Sequence, residues 1–309
     1  MNPEKLISFV IAVYRNEREL TPTYKELKSL FSGPLKDYRC EFVFVDDGSD
    51  DASLPELLAL READPQVRVV SFSRNFGQMA AIIAGVRAAR GDAVINKNAD
   101  MQEPAEAVVR LVREWEQGGE IVLGHRLSRE DSLLANVLGN AYWSILKWTS
   151  PNLPVGSDFF LLGRQAADAF NRIEESDRFC PVDVLWLGFN PRIVPYHRMK
   201  RLIGKSQWGL SRKVKAGIDG ILHSSYLPIR FISVMGLTIG GLGFIAAALV
   251  AARRLIQGTQ YPGWTSTVVL LLLLNGLTMM MLGIIGEYVW RIYNQAKGRP
   301  QYIVRRTWG

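Results

Sequence analysis

The stretch that decides the fold is GDAVINKNADMQEP, Gly91 to Pro104, in which a short apolar run leads directly into acidic and amide side chains. Ala93 to Ile95 are small or β-branched, which favours a buried strand. The polar residues that follow are Asn98, Asp100, Gln102 and Glu103. They would lie at the carboxyl end of the strand, which is the edge where open α/β sheets bind their ligands.

Two of these residues have the chemistry of metal ligands. Asp100 and Gln102 are hard oxygen donors at alternate positions, and on an extended backbone their side chains point the same way. They are therefore candidates to share one divalent cation, Mg²⁺ or Mn²⁺, and a cation there can hold a diphosphate. The alternative is a strand followed by a polar turn, with Pro104 beginning a helix. This segment alone leaves both interpretations open.

The N-terminal half alternates between strand-like and helix-like segments. Strands are predicted at Leu6 to Tyr14, Cys40 to Val45, Val67 to Ser73 and Ile121 to Leu123. Helices are predicted at Glu17 to Phe31, Ser53 to Ala63, Met79 to Arg90 and from Pro104 to about Gln117. This alternation predicts a mostly parallel sheet with helices on both faces, and it brings the turns after the strands to one edge.

Further polar residues follow the other predicted strands. They are Asp46 and Asp47 after the second strand, and Arg74, Asn75 and Gly77 after the third. Carboxylates at a strand end can accept hydrogen bonds from a nucleotide base or from ribose hydroxyls. Each turn can instead simply cap the following helix, which for a single acidic turn is the commoner case. Arg126, after the predicted strand Ile121 to Leu123, is open to interpretation as a phosphate contact or as a solvent-facing charge.

The composition divides the chain into two parts. Of its 309 residues 22% are charged, and these are concentrated before Arg230. Residues 231–252 and 264–286 contain no Asp, Glu, Lys or Arg. About 20 helical residues cross roughly 30 Å of hydrocarbon, so each stretch is long enough to span a bilayer. We therefore predict two transmembrane helices, at about 231–252 and 265–286.

The predicted organisation has four parts. They are a soluble domain at 1–204, amphipathic juxtamembrane helices at 205–230, two transmembrane helices within 231–290 and a basic tail at 291–309. No signal peptide is apparent, so the soluble domain is expected in the cytosol. Arg253 and Arg254 are the only basic residues between the two spans, which favours cytosolic positions for both termini. Gly236 and Gly240 let a neighbouring helix approach, either the second span or a second copy in a homo-oligomer.

The net charge of +7 and the isoelectric point near 9.4 indicate an anionic partner. Lipid headgroups are favoured over nucleic acid, because the apolar stretches are present and no nucleic-acid-binding motif is found. Cys40 and Cys180 lack the spacing of a metal site, which indicates reduced packing residues. The three histidines are scattered and do not support a catalytic triad or a zinc site.

Six ordered blocks resemble the membrane-bound family 2 inverting glycosyltransferases, which have a GT-A fold. The blocks are VDDGSDD (Val45 to Asp51), SRNFGQMAAIIAG (Ser73 to Gly85), NADMQEP (Asn98 to Pro104), GSDFFLL (Gly156 to Leu162), RLIGKSQW (Arg201 to Trp208) and GEYVWRIYNQAKGRPQY (Gly286 to Tyr302). The chain is most similar to the polyisoprenyl-phosphate glycosyltransferases, which include dolichyl-phosphate mannose synthases and bacterial undecaprenyl-phosphate sugar transferases. The resemblance spans nearly the whole chain.

The resemblance implies a Rossmann-like cytosolic domain that transfers a sugar from a nucleotide diphosphate, with UDP favoured, to a polyprenyl phosphate such as undecaprenyl phosphate. The chain is then expected to be a multi-pass protein of the bacterial inner membrane. Because the reaction brings several negative charges together, the site needs a cation on the leaving group and basic side chains on the acceptor. A phosphate acceptor is already largely ionised near neutral pH, so it has less need of a general base. Asp158 could orient the acceptor or accept a proton, and both roles stay open.

The resemblance also assigns residues to the site. Asp46 and Asp47 would face the nucleotide, and we add Arg74, Asn75, Gly77 and Asn98 to the same group. Asp100 and Gln102 would hold the metal and the diphosphate, with Asp158 and Asp100 at the reacting centre. Arg201, Lys205 and Ser206 would receive the lipid phosphate, and Arg126 is a further candidate.

Two positions depart from the family pattern. Asn98 stands where the family usually has an aspartate two residues before its metal-site aspartate, and an amide carries no charge. Phe160 stands where the family often has arginine after the Asp-Phe pair. Because of both changes, the sequence does not identify the sugar or the acceptor. The changes also leave two alternatives to the transferase, namely a membrane polysaccharide synthase and a catalytically silent membrane scaffold that keeps the fold.

Overall fold

The computed structural model describes residues 4–127, 158–175, 178–199 and 263–309, together with scattered positions between 234 and 252. The chain divides into two compact units. The first comprises Met1–His223 and Pro300–Gly309, and the second comprises Ser224–Arg299. The predicted juxtamembrane helices at 205–230 lie outside the described residues.

The first unit contains the elements that the alternating pattern predicts, and several more. Its strands are β1 (Leu6–Val13), β2 (Arg39–Asp46), β3 (Val67–Phe72), β4 (Ala93–Asn96), β5 (Ile121–Arg126), β6 (Phe160–Gly163), β7 (Arg192–Tyr196) and β8 (Val304–Trp308). Its helices are α1 (Leu20–Leu30), α2 (Ser53–Ala63), α3 (Gln78–Ala88), α4 (Ala105–Glu116), α5 (Arg164–Asn171) and α6 (Cys180–Trp186). Every strand and helix that the sequence predicted before residue 127 is present.

The eight strands form one sheet in the order β7-β5-β6-β4-β1-β2-β3-β8. Strands β1, β2, β3 and β4 run parallel to one another, and β5 runs parallel to β7. Strand β6 is antiparallel to both β4 and β5, and β8 is antiparallel to β3. The prediction of a mostly parallel sheet is therefore confirmed.

Helices cover both faces of the sheet, as the alternation predicts. One face buries Phe9 and Phe42, whose rings stack with centroids 5.5 Å apart, against apolar residues of α1, α2 and α4. The other face buries Val10 and Val43 against apolar residues of α3, α5 and α6. Burial on both faces explains why the central strands read as continuous apolar runs.

The antiparallel strand β6 brings a distant segment to the functional edge. Asn96, the last residue of β4, pairs with Phe160, the first residue of β6. The residues just before β6 therefore meet the residues just after β4. This pairing places Asp158 next to the loop that carries Asp100.

The last residues of the chain belong to the sheet. The amide of Ser73 donates to the carbonyl of Ile303 at 3.0 Å, and the ring of Tyr302 stacks on Phe72 with centroids 4.9 Å apart. Part of the predicted tail at 291–309 is thus strand β8, which covers the edge strand β3.

In the second unit, residues Trp264–Ala296 form helix α7, of 33 residues. A Cβ atom placed on Gly236 would lie 2.9 Å from the Cε atom of Met281 in this helix, so Gly236 packs closely on α7. Over the side chains that the structure describes, no helix combines the length and the apolarity needed to cross a bilayer. The transmembrane hairpin stays a prediction.

Candidate active site

The loop after β4, Lys97 to Glu103, is a turn rather than an extended segment. Met101 has a φ of 54°, and the amide of Gln102 donates to Asp100 Oδ1 at 3.2 Å. The expectation that Asp100 and Gln102 point the same way from an extended backbone is therefore wrong in its geometry. The reason is that the side chain of Asp100 caps the turn within its own loop, as aspartate commonly does.

The two residues nevertheless share one positive group. The Nη2 atom of Arg198 donates to Gln102 Oε1 at 2.5 Å and lies 3.9 Å from Asp100 Oδ2. Gln102 is held further by residue 199, since the Met199 amide donates to its carbonyl at 2.9 Å and its Nε2 donates to the Met199 carbonyl at 3.2 Å. The oxygens of Asp100 and Gln102 thus face a common cationic position.

This convergence fits the divalent metal that the sequence predicts. Among the described residues, no group of three or more His, Cys, Asp or Glu side chains is arranged to hold a metal ion. A metal on Asp100 and Gln102 would therefore complete its coordination with oxygens from outside the protein, such as a diphosphate. The metal would supply positive charge to a leaving diphosphate.

Asn98 connects three parts of the site through its side-chain amide. Its Oδ1 accepts from Gln78 Nε2 at 3.0 Å, and its Nδ2 donates to Glu103 Oε1 at 2.9 Å and to Asp158 Oδ2 at 3.3 Å. An aspartate here would present a third carboxylate to Glu103 and Asp158 and could not donate to either. The departure from the family pattern therefore has a physical reason within this chain.

The carboxylates of the site are close together. Burial raises the pKa of Glu103, and the charges of Asp100 and Asp158 raise it further. The Nδ2 atom of Asn96 donates to the backbone carbonyl of Asp158 at 2.5 Å, which fixes Asp158 at the end of β4. Asp100 and Asp158, predicted from segments 58 residues apart, are thus both near enough to Glu103 to act on its charge.

Two arginines, Arg126 and Arg198, act on Tyr196 at the end of β7. Burial raises the pKa of Tyr196, Glu103 and Asp158 raise it further, and the charges of Arg126 and Arg198 lower it. Arg126 is only 8% exposed, so its interpretation as a solvent-facing charge is wrong. Arg198 is a residue that sequence reasoning missed, because its contact with Gln102 joins segments 96 residues apart.

The turn after β2 uses its aspartates to build the edge of the sheet. Asp46 accepts from the amide of Ser49 at 3.0 Å and from the hydroxyl of Ser71 at 2.9 Å. Asp47 accepts from the backbone amides of Phe76 at 2.6 Å and Gly77 at 2.9 Å. Burial raises the pKa of Asp47 to about 6, although these two hydrogen bonds oppose the shift. Both aspartates are buried, and they shape this edge by accepting hydrogen bonds from backbone amides and from the Ser71 hydroxyl.

The turns after β2 and β3 touch each other. Gly48 has a φ of +68°, and a Cβ atom there would lie 2.5 Å from the backbone carbonyl carbon of Arg74. The side chains of Arg74 and Asn75 are exposed beside this contact, and the guanidinium of Arg74 lies 4.6 Å from the ring centroid of Phe76. Gly77 has a φ of 101° and precedes α3. The structure thus brings both predicted nucleotide turns to one place.

A comparison with known proteins identifies the family. Residues 8–169 match the family model described as Glycosyl transferase family 2. The chain belongs to glycosyl transferase family 2. As a family 2 glycosyltransferase, it is an enzyme that moves a sugar, and its sheet has the GT-A arrangement.

Relatives of this family 2 glycosyltransferase match it over almost its whole length. The uncharacterized glycosyltransferase YkcC of Bacillus subtilis is 34% identical over 305 residues, which cover 98% of this chain and 94% of the relative. The SfII prophage-derived bactoprenol glucosyl transferase of Shigella flexneri is 32% identical over 304 residues, which cover 97% and 98% of the two chains. Both comparisons extend well beyond the residues of the family model.

A solved structure supports the fold of the family 2 glycosyltransferase. It is glucosyl-3-phosphoglycerate synthase of Mycobacterium tuberculosis, determined with Mn²⁺, UDP-glucose and phosphoglyceric acid. The TM-score is 0.50 at 16% identity, over 71% of this chain and 79% of the other. At this identity the similarity concerns the fold.

The described residues contain most of the predicted site. Asp46, Asp47 and Gly77 lie at the touching turns after β2 and β3, while Asn98, Asp100, Gln102, Asp158 and Arg126 lie around the loop after β4. Arg201, Lys205 and Ser206 lie outside the described residues, so their assignment to the lipid phosphate stays a prediction. Met199, two residues before Arg201, is the described residue closest in sequence to that group, and Arg198 directly precedes it.

Proposed function

We propose that this family 2 glycosyltransferase transfers a sugar from a UDP-sugar to undecaprenyl phosphate or a closely related polyprenyl phosphate, with inversion and with a divalent metal. The observation that carries the proposal is the convergence of Asp100 and Gln102 on one cationic position beside Asp158. A diphosphate leaving group requires such a position, because negative charge develops on it as the glycosidic bond breaks.

The charges around the site suit a phosphate acceptor. Attack of a phosphate oxygen on the anomeric carbon, from the face opposite the leaving UDP, forms one bond as the other breaks and inverts the configuration. Arg126 and Arg198 supply positive charge close to Tyr196, and Arg198 also lies 3.9 Å from Asp100 Oδ2. Because the acceptor is already ionised, Asp158 would orient it or the sugar rather than accept a proton.

The acceptor and the location follow from the relatives and the composition. A relative matched over its full length is named a bactoprenol glucosyl transferase, and this supports a polyprenyl phosphate as the acceptor. Two stretches without any charged residue, 231–252 and 264–286, support an inner-membrane protein whose catalytic unit faces the cytosol. The nucleotide edge would then meet the phosphate of a lipid whose chain lies in the bilayer.

The experiment uses membranes that contain the full-length protein. They are incubated with radiolabelled UDP-sugars, Mn²⁺ or Mg²⁺ and undecaprenyl phosphate, and the expected product is soluble in chloroform and cleaved by mild acid. Labelled polymer would instead indicate a polysaccharide synthase. No product with any donor, together with no nucleotide binding, would indicate a silent scaffold and overturn the proposal.

Variants connect the product to the site. Asp100→Ala and Asp158→Asn should each lower turnover by at least about 100-fold, because each removes a group placed at the developing charge. Asp168→Asn is the matched control, since Asp168 forms a half-exposed ion pair with Arg164 away from the site. Full activity in either site variant would remove that residue from the site. Arg201→Ala should chiefly raise the apparent KM for the lipid.

A further inference from the structure

A buried lysine lies beneath the loop that carries Asp100 and Gln102. Lys97 directly follows β4, and its backbone amide donates to the carbonyl of Val10 at 3.0 Å, which continues the pairing with β1. Its side chain is 0% exposed. A fully buried lysine is rare unless it is paired with an acidic group, so its surroundings indicate its role.

Two carboxylates flank the buried ammonium group. The Nζ atom of Lys97 lies 3.8 Å from Glu103 Oε2 and 4.0 Å from Glu26 Oε2. At these distances the contacts are ion pairs, and within the described part of the chain none of the three atoms has a hydrogen-bond partner. Glu103 is only 1% exposed, so its interaction with Lys97 takes place away from water.

The position of this ion pair in the chain matters more than its strength. Lys97 begins the loop and Glu103 ends it, so the pair joins the two ends of a seven-residue segment. The middle of the loop is held from the same side, because the hydroxyl of Thr23 on α1 donates to the carbonyl of Ala99 at 2.8 Å. Asp100 and Gln102 thus project from a loop that is fixed at both ends and at its centre.

We propose that Lys97 is a positioning residue for the donor site: its buried ammonium group, between Glu103 and Glu26, fixes the loop so that Asp100 and Gln102 face one cation. The inference rests on the proposed function, because it concerns the metal and diphosphate that this function requires. Groups that orient metal ligands typically contribute about 10- to 100-fold to metal affinity. Lys97 acts through the loop and does not itself touch the substrate.

The test measures binding rather than turnover. Full-length protein in detergent is titrated with UDP in the presence of Mn²⁺ by calorimetry, and bound Mn²⁺ is counted by electron paramagnetic resonance. Lys97→Met should raise the Kd for Mn²⁺ and UDP by about 10- to 100-fold. Lys97→Arg keeps the charge, and it should recover part of the affinity.

Two further variants separate positioning from simple stabilisation. Lys97→Met with Glu103→Gln removes the two fully buried charges and leaves only Glu26, whose side chain is 29% exposed, so it should recover most of the lost melting temperature. The positioning role predicts that the affinity stays low in this double variant. Lys28→Met is the matched control. Lys28 lies on α1, as Glu26 does, but its Nζ atom pairs with Asp64 at 2.7 Å instead of contacting the loop. It should leave the Kd unchanged.

The outcomes distinguish the inference from the function on which it rests. If the wild-type protein does not bind UDP with Mn²⁺, the proposed donor chemistry fails. If the wild type binds and Lys97→Met binds equally well, the positioning role is wrong while the function stands. Full affinity in the double variant would also overturn the inference, because the loop would then be ordered without the ion pair.

Discussion

The side-chain amide of Asn98 donates a hydrogen bond to the carboxylate of Asp158 across 3.3 Å, and it donates a second to Glu103 at 2.9 Å. The contact joins the loop after β4 to the residues that precede the antiparallel strand β6. A neutral donor between two carboxylates relieves their repulsion, whereas a third carboxylate would add to it. Asn98 is therefore matched to its two neighbours.

Asn98→Asp should lower the free energy of unfolding in the absence of metal by about 1–3 kcal/mol, because it places like charges together. It should also increase the stabilisation by Mn²⁺, since a divalent cation offsets the added charge. Thermal unfolding with and without Mn²⁺ measures both effects. Asn98→Ala removes the hydrogen bonds without adding charge, and it should not increase the Mn²⁺ effect. Equal Mn²⁺ shifts in Asn98→Asp and the wild type would contradict this account.

A pair of glycines tests the contact between the two nucleotide turns. Gly48 and Gly118 both have positive φ, +68° and +91°, but a Cβ atom on Gly48 would meet the backbone of Arg74, whereas one on Gly118 would meet nothing within 4 Å. Gly118→Ala should cost about 1–2 kcal/mol of backbone strain. Gly48→Ala should cost about 1–3 kcal/mol more, from overpacking, and should weaken UDP binding. Equal losses of stability would show that the turns do not need this close approach.

Asp47 predicts a specific pH dependence. Its pKa is raised from 3.8 to about 6, chiefly by burial. The folded protein therefore holds this proton more tightly than the unfolded chain, and the stability due to it is lost as the pH rises from about 4 to about 6. The loss is up to about 3 kcal/mol. Asp47→Asn does not titrate, so the difference in unfolding free energy between the wild type and this variant should change across that window and be constant above it. Parallel profiles from pH 4 to 7 would contradict the shift.

The first half of the fold could be predicted from the sequence because its signals are local. Strands β1 to β4 are buried on both faces and read as apolar runs, and each is followed by a helix of ordinary length. Strands β6 and β7 have four and five residues, and β7 contains Pro195, so neither carries a strong periodic signal. The basic strand β8, VRRTW, is exposed and has the composition of a tail.

The site was predictable by residue type but not by contact. Acidic and amide residues after apolar runs identified Asp47, Asn98 and Asp100, because parallel strands bring such turns to one edge. What each side chain contacts depends on register and on pairings between distant segments. The roles of Asn98 between two carboxylates and of Arg198 on Gln102 required the antiparallel strand β6 and the end of β7, which the sequence pattern did not reveal.

Arg198 contacts Gln102 in the loop Lys97 to Glu103 and lies three residues before Arg201 in the chain. Its hydrogen bond to Gln102 is charge-assisted, and such bonds contribute about 1.5–3 kcal/mol. Arg198→Met should therefore raise the apparent KM for the UDP-sugar by roughly 10- to 100-fold. The apparent KM for the lipid should rise as well. Residues 198 and 199 contact Gln102, and they directly precede the segment 201–206 that is predicted to bind the lipid phosphate. Steady-state kinetics with each substrate varied in turn measures both.

The matched control is Arg192→Met, which removes an arginine from the other end of β7. Arg192 pairs with Glu114 on α4 at 2.8 Å, so this variant also loses an ion pair but lies away from the metal loop. It should leave both KM values unchanged and lower stability only slightly, as expected for a half-exposed pair. If Arg198→Met changed the KM for the lipid alone, Arg198 would belong to the acceptor site only. If it changed neither, its contact with Gln102 would have no part in binding either substrate.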